Sequence, residues 1–508
     1  MGTDLQNIHS KNSFSKTMLW VVFGLYIAIA GYTMFHHELW GDEFHSWNIA
    51  KGSNSFFDLI QNRRYEGHPP VWYIVLWCIS KFTHNLAYVQ LVHLTIAILV
   101  IFVMFFYSPL PASTKAILPF GYYFFFEYAI LSRNYAIAIL AGFLVCVIIN
   151  KEFKYKFIVY YSLLLIMSNV HVLAMILAVS LHLYFLISLI EQKKKRRIIA
   201  LHALLGVLIF LPSIYFISLP PDSHVSILNS LHVWNQNQFA IDLQAPLRAF
   251  VPMPAWWEQN FWNMQFIMEL HNKYKALKII SPLLALALVL FGCFILKDNK
   301  KSLALFVVNT IATFLLGNIF TLSTQRYTGF IFIGFIVAYW LYCYDVPVQK
   351  NKKIAVNILL FIQLIAGVFI VYKDIELPFS NEYRVKELVD EVPANDKFVT
   401  DYSTLNAMSA CLDDSFYCVD VEHNFSFLLW GKDKSMLDNP YRYFQGVNYL
   451  FQKERIKTVY VISILSPKAL SGEDAKLFSS FHVQLTDKID GAIEKGSNLY
   501  LYQISVIR

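Results

Sequence analysis

Charge is what this chain is short of. Asp, Glu, Lys and Arg make up only 15% of its 508 residues, well under the roughly 25% of an ordinary soluble domain. Cysteine is scarce as well. Of six, Cys78, Cys146, Cys293 and Cys343 fall inside apolar segments, where they read as small buried residues rather than a disulfide framework. Cys411 and Cys418 lie together near the C-terminus, and their spacing leaves a disulfide open without fixing its geometry. No internal repeat and no low-complexity tract is present. No small-residue cleavage site follows the first apolar run, Thr17 to Phe35, so that run reads as a retained helix. The net charge of +7 is not a nucleic-acid footprint, because the basic residues sit in short clusters between apolar segments.

Apolar and aromatic residues fill the space left. Hydrophobic residues make up 56% of the chain and aromatics 17%, with 43 Phe and 30 Tyr. Apolar segments of about 17–22 residues recur, each long enough to cross a hydrocarbon core. One soluble core could not hide so many separate runs, so the sequence predicts a multi-pass membrane protein. Each run should be a helix, since lipid offers no partner for free backbone groups. The Lys and Arg clusters set orientation. Lys11/Lys16, Lys115, Lys151–Lys156, Lys193–Arg197, Lys297–Lys301 and Lys350–Lys353 are all placed in the cytoplasm. The short turns near Asn169 and Thr321, which carry almost no Lys, are placed outside. This predicts an all-α polytopic domain of about eleven spans, at 17–35, 88–107, 114–131, 134–150, 156–169, 171–190, 198–218, 276–296, 302–321, 327–345 and 354–371. Val71 to Phe82 is too short to span. It is expected as an interfacial helix started by Pro69-Pro70, with Trp72, Tyr73 and Trp77 at headgroup level.

Three segments are then extracytoplasmic: the loop from His36 to Ala87, a Pro- and Trp-rich loop from Leu219 to Lys275, and the tail. Residues 1–372 are expected as the membrane domain and 373–508 as a small extracytoplasmic α/β domain. The tail's short β-like runs (Lys397–Thr400, Thr458–Ile462, Leu499–Ile504) alternate with helix-like stretches such as Glu382–Glu391.

Ionisable residues at membrane depth are expensive and usually functional, and here they gather on one face. Asp42 and Glu43 immediately follow the first span. Glu66-Gly67-His68-Pro69-Pro70 precedes the interfacial helix. Arg133 sits at the outer turn before the fourth span, His171 begins the sixth, and Arg326-Tyr327 begins the tenth. Each has a bland alternative: a solvated helix end for the acids, snorkelling anchors for the arginines, a core partner for the histidine. Glu127, inside an apolar helix, is expected to pair with an arginine. Chance would scatter such residues to both sides, and their coincidence on one face points to a site.

Gly41-Asp42-Glu43-Phe44-His45-Ser46-Trp47, followed by Tyr65-Glu66-Gly67-His68-Pro69-Pro70-Val71-Trp72-Tyr73, resembles the first outer loop of the GT-C membrane glycosyltransferases. That superfamily includes protein O-mannosyltransferases and the lipid A aminoarabinose transferase. Arg133-Asn134-Tyr135 is similar to the family's Arg-x-Tyr turn, and Arg326-Tyr327 to its later Arg-Tyr. The likeness covers roughly residues 17–345 in layout, and only the first loop is specific.

The resemblance implies an inverting hexosyl- or pentosyltransferase, and the Lys-rich composition and modest length point to a bacterial inner membrane. Its donor would be a polyprenyl-phosphate-linked monosaccharide, and its acceptor an extracytoplasmic protein, lipid or envelope glycan. By that match Asp42 takes the acceptor's proton, and Glu43 positions the acceptor or shares a metal. Glu66, His68, Arg133, Tyr135, His171, Arg326 and Tyr327 line the substrate site, with the arginines on the phosphate. His68 stands where aminoarabinose transferases carry Lys. Some relatives use a divalent metal, but no ligand set here compels one. The rival readings are a glycolipid transporter, which needs charge near mid-bilayer, an O-antigen polymerase or ligase, and a catalytically silent scaffold.

Overall fold

The computed structural model describes residues 16–223, 236–320, 324–429, 440–470 and 481–507. The Thr321 turn, Lys11 and the middle of the Pro- and Trp-rich loop lie outside these. Ten helices make up the first part: α1 (Lys16–His36), α2 (Gly41–Gly52), α3 (Phe56–Asn62), α4 (Val71–Ser80), α5 (Ala87–Tyr107), α6 (Ala112–Ile117), α7 (Tyr135–Ile149), α8 (Lys156–Ser168), α9 (Val172–Glu191) and α10 (Arg196–Ile217). After the short helices Gln236–Asp242, Ala245–Phe250 and Phe266–Glu269 come the long α11 (Leu277–Leu296), α12 (Lys300–Phe320), α13 (Gln325–Asp345) and α14 (Lys350–Glu376).

Among the described residues, eight helices are long and apolar enough to cross a membrane: α1, α5, α9, α10, α11, α12, α13 and α14. The other three expected spans differ. With 15 and 13 residues, α7 and α8 rise only about 20 Å, short of a core of about 30 Å. The run 114–131 is no continuous helix. It breaks into α6, a 3-10 turn at Leu118–Phe120 and a π turn at Tyr123–Glu127.

Close backbone approach accompanies that break. A Cβ added at Gly367 of α14 would lie 2.3 Å from the Phe120 carbonyl oxygen, so only glycine lets the two backbones meet. Such irregular backbone survives because it is buried in protein, and the Tyr26 hydroxyl donates to the Phe124 carbonyl at 2.9 Å.

The basic clusters gather at one end of the bundle. Lys115 donates to the carbonyls of Phe105 and Ser108, both at 2.8 Å. Lys301 pairs with Glu191 and Asp345, and Lys352 reaches Ile295 O and Asp298. These contacts tie together the ends of α5, α9, α11 and α13 and the starts of α12 and α14. At the opposite end, His37 after α1 meets Asp374 near the end of α14 at 3.0 Å. Burial lowers the pKa of His37, but the Asp374 carboxylate outweighs it and raises it. The central helix is α13, 83% buried over its most apolar stretch, against 17% for the peripheral α10.

The C-terminal part is an α/β unit with α15 (Val385–Asp390), α16 (Leu405–Leu412) and α17 (Pro440–Glu454). Its strands are β1 (Phe398–Thr400), β2 (Phe416–Cys418), β3 (His423–Phe425), β4 (Thr458–Ser463), β5 (Phe481–Ile489) and β6 (Leu499–Val506). They form one sheet in the order β3-β2-β1-β4-β6-β5, with β1 parallel to β2 and β4 and the remaining pairs antiparallel.

This unit shares a core with the first loop. Trp47 and Trp72 pack in one cluster with Leu405, Met408 and Leu501, and Asn48 donates to the Asn406 carbonyl at 2.8 Å. Hence Trp72 and Tyr73, each 2% exposed, face protein rather than headgroups. Trp77 spends its indole N–H on Ser53 O. Cys411 and Cys418 are both free thiols.

Candidate functional site

Helix α2 begins one turn beyond α1, with Trp40 as its N-cap. The Glu43 carboxylate reaches back to accept the Trp40 N–H at 3.1 Å, the reciprocal half of a capping box. Its other oxygen accepts the Ser132 N–H. Glu43 is thereby committed to holding two backbone segments together and is not on the cavity wall. Burial pushes its pKa up to about 7, against the opposing pull of His37. Asp42, His45 and Ser46 share the other face of α2, as residues three and four apart on a helix do.

That face looks into a cavity of about 450 Å3. Its walls include Asp42, His45, Ser46, Glu66, His68, Arg133, His171, Arg326 and Tyr327. Seven of the nine residues expected from the sequence therefore line one cavity. Tyr135 stands just behind, its ring 5.2 Å from that of His171.

Asp42 sits between the two arginines. Arg326 donates to its carboxylate at 2.7 Å. Arg133 lies 3.6 Å from the same oxygen, and its other nitrogen donates to the Asp42 carbonyl at 2.5 Å and to Ser46 Oγ at 2.9 Å. Burial would raise the Asp42 pKa, but Arg326 and then Arg133 outweigh it and hold it at about 2. The side chain nevertheless keeps 26% exposure toward the cavity. Two guanidiniums against one carboxylate leave this triad a surplus cation, which suits an anionic ligand. Arg326 is also held over the Trp40 and Tyr327 rings, each 5.0 Å away.

The opposite wall is the turn Glu66-Gly67-His68-Pro69-Pro70. Gly67 adopts φ 65°, the left-handed region glycine enters without strain. The buried Arg63 pins the turn by donating to His68 O at 2.7 Å and to Phe216 O, at the end of α10, at 2.9 Å. The His68 ring lies 5.3 Å from His171. Burial and then Arg133 drive the pKa of His68 down to about 3, so it is a neutral imidazole and adds no cation for a phosphate. His171 caps α9 by accepting the Leu173 N–H.

Other expectations are corrected. Glu127 accepts from the Tyr122 hydroxyl at 2.8 Å and the Trp262 indole at 3.2 Å, and it makes no ion pair with an arginine among the described residues. Trp262 packs against Trp40, with ring centroids 4.8 Å apart. This part of the Trp-rich loop therefore backs Arg326, whose guanidinium lies 5.9 Å from the Trp262 ring. No group of three metal-ligating side chains occurs among the described residues.

Sequence reasoning missed His45, whose Nε2 lies 2.6 Å from Glu66 Oε2. Its position three residues beyond Asp42 was the available signal. It also missed Glu382 and Glu494 of the C-terminal unit. Glu382 rests against Gly41, and burial raises its pKa well above the usual range. Burial likewise lifts Glu494 to about 7. No protein-family model matches this chain, nor does any curated protein.

Proposed function

We propose that the chain is an inverting membrane glycosyltransferase of the GT-C type, moving a monosaccharide from a polyprenyl-phosphate carrier to an extracytoplasmic acceptor. The observation that carries this reading is Asp42 held between Arg133 and Arg326 on the wall of one cavity. In this reading the donor's phosphate enters on the arginines, which stabilise the charge that grows on it as the sugar leaves. The Asp42 carboxylate takes the acceptor's hydroxyl proton as the new bond forms.

The cavity is also lined by Ile217, the last residue of α10, by Leu219 just beyond it, and by Phe320 at the end of α12. The apolar flanks of those helices, such as Leu211 and Ile214 on α10 and Leu315 on α12, are exposed and suit an isoprenoid tail. The reading places the cavity outside a bacterial inner membrane, opposite the basic end of the bundle. It takes α7, α8 and the broken 112–131 run as three further, shortened passes. A glycolipid transporter fits less well, since the charge of the cavity lies at one end of the bundle.

The test supplies purified protein with a radiolabelled polyprenyl-phosphate hexose and a membrane extract as acceptor source. Label should pass to an acceptor with wild-type protein and not with Asp42→Asn. Turnover by that variant at the wild-type rate would remove Asp42 from the chemistry.

A further inference from the structure

We propose that His45, backed by Glu66, is the positioning residue that relieves Asp42 of the acceptor's proton, so that the proton leaves the site through an Asp42–His45–Glu66 relay. This rests on the reading above and adds a step to it.

Two guanidiniums press on the Asp42 carboxylate, and a carboxyl group so placed holds a proton poorly. Efficient proton transfer needs an acceptor whose affinity lies nearer the working pH, and imidazole is the side chain suited to it. His45 is one helical turn beyond Asp42 on the same face of α2, and both side chains line the cavity. Its Nε2 lies 2.6 Å from the Glu66 carboxylate. A carboxylate oxygen can only accept, so the ring's proton sits on Nε2, and Nδ1 is the basic nitrogen of that tautomer. The side chains of both residues are 6% exposed, which places the pair inside the cavity wall.

The acceptor oxygen bonds to the anomeric carbon while the bond from that carbon to the phosphate oxygen breaks, its electron pair staying on the phosphate. The hydroxyl proton passes to Asp42 and then to His45, where the Glu66 charge stabilises the imidazolium. It is released to water at the cavity mouth, near Tyr65, whose hydroxyl donates to Asp222 at 2.7 Å. The other ionisable groups lining the cavity are Tyr65 and His68 at the turn, Tyr73 on α4, Arg133 before α7, His171 before α9, and Arg326 and Tyr327 on α13.

The test measures transfer of label from polyprenyl-phosphate hexose to membrane extract between pH 5 and 9, with donor binding and melting temperature followed beside it. His45→Ala should bind donor normally and lose about 100-fold in turnover, and added imidazole should restore it in proportion to its concentration. Glu66→Gln still accepts the Nε2–H but lacks the charge, so it should move the acid limb of the rate profile to lower pH. This second variant decides the matter if His45→Ala does not fold. A folded His45→Ala that turns over within threefold of wild type, or a loss that imidazole does not restore, overturns the relay. So does an unmoved acid limb in Glu66→Gln. If wild-type protein transfers no label, the proposed function fails and the relay with it. If wild type transfers, Asp42→Asn does not and His45→Ala does, the relay alone fails.

Discussion

Replacing Glu43 by Gln separates a helix cap from a catalytic acid. Glu43 and Asp42 are neighbours in sequence, yet Asp42 faces the cavity while Glu43 is spent on the N–H groups of Trp40 and Ser132. Burial lifts the Glu43 pKa from 4.5 to about 7, a difference worth roughly 3 kcal/mol. The folded-state value lies above the unfolded one. The stability this group contributes is therefore full below pH 4.5 and is lost as the pH rises through about 7. Gln titrates in neither state. It keeps one carbonyl oxygen for one of the two N–H groups and gives up the other bond, at a cost of about 1–3 kcal/mol.

Melting temperatures of the solubilised protein from pH 4 to 8.5 should therefore show Glu43→Gln less stable than wild type in acid. The gap should narrow or reverse above pH 7. Subtracting one curve from the other cancels the other buried acids, including Glu494. Transfer activity should stay within about tenfold of wild type, against a loss of about 100-fold or more for Asp42→Asn. A Glu43→Gln protein as inactive as Asp42→Asn, with its pH-melting curve parallel to wild type, would put Glu43 in the chemistry and refute the cap.

Arg326→Ala leaves Asp42 with only the more distant Arg133, and the carboxylate's pKa should climb from about 2 toward its ordinary value. Donor affinity should fall at least tenfold, as measured by binding of a labelled polyprenyl phosphate. Arg133→Lys keeps the charge but has one nitrogen where two serve now, one on the Asp42 carbonyl and Ser46 and the other beside the Asp42 carboxylate, and kcat/KM should drop about 10–100-fold. Gly67→Ala meets only ordinary contacts, the nearest being Leu219 Cδ2 at 3.7 Å. Its cost is thus the left-handed backbone alone, about 1–2 kcal/mol, and Gly67→Asn should melt higher than Gly67→Ala.

Periodicity and charge revealed the long helices because both are local signals. Every helix long enough to cross matches an expected span to within about five residues, and the strands β1, β4 and β6 are visible as short β-like runs. What failed was the assumption that an apolar run is a straight helix. Leu118-Pro119-Phe120-Gly121 carries its own warning in Pro119. The decisive fact, the contact of Phe120 with Gly367, lies about 250 residues away and has no local trace. The aromatic residues of α4 misled for a similar reason. Trp72 and Tyr73 suit a headgroup region and equally suit a core shared with a distant sheet, and nothing within ten residues distinguishes the two.

The site was legible to the extent that it was a question of sidedness. Counting spans placed Asp42, His68, Arg133, His171 and Arg326 at one end, and the fold then gathers them on one cavity. Orientation about a helix axis is a finer matter. Asp42 and Glu43 are about 100° apart on α2, so only one of them can face the cavity. The same geometry turns His45 inward with Asp42. The helical repeat of α2 leads from Asp42 to His45 rather than to its neighbour Glu43, and the hydrogen bond of His45 leads on to Glu66.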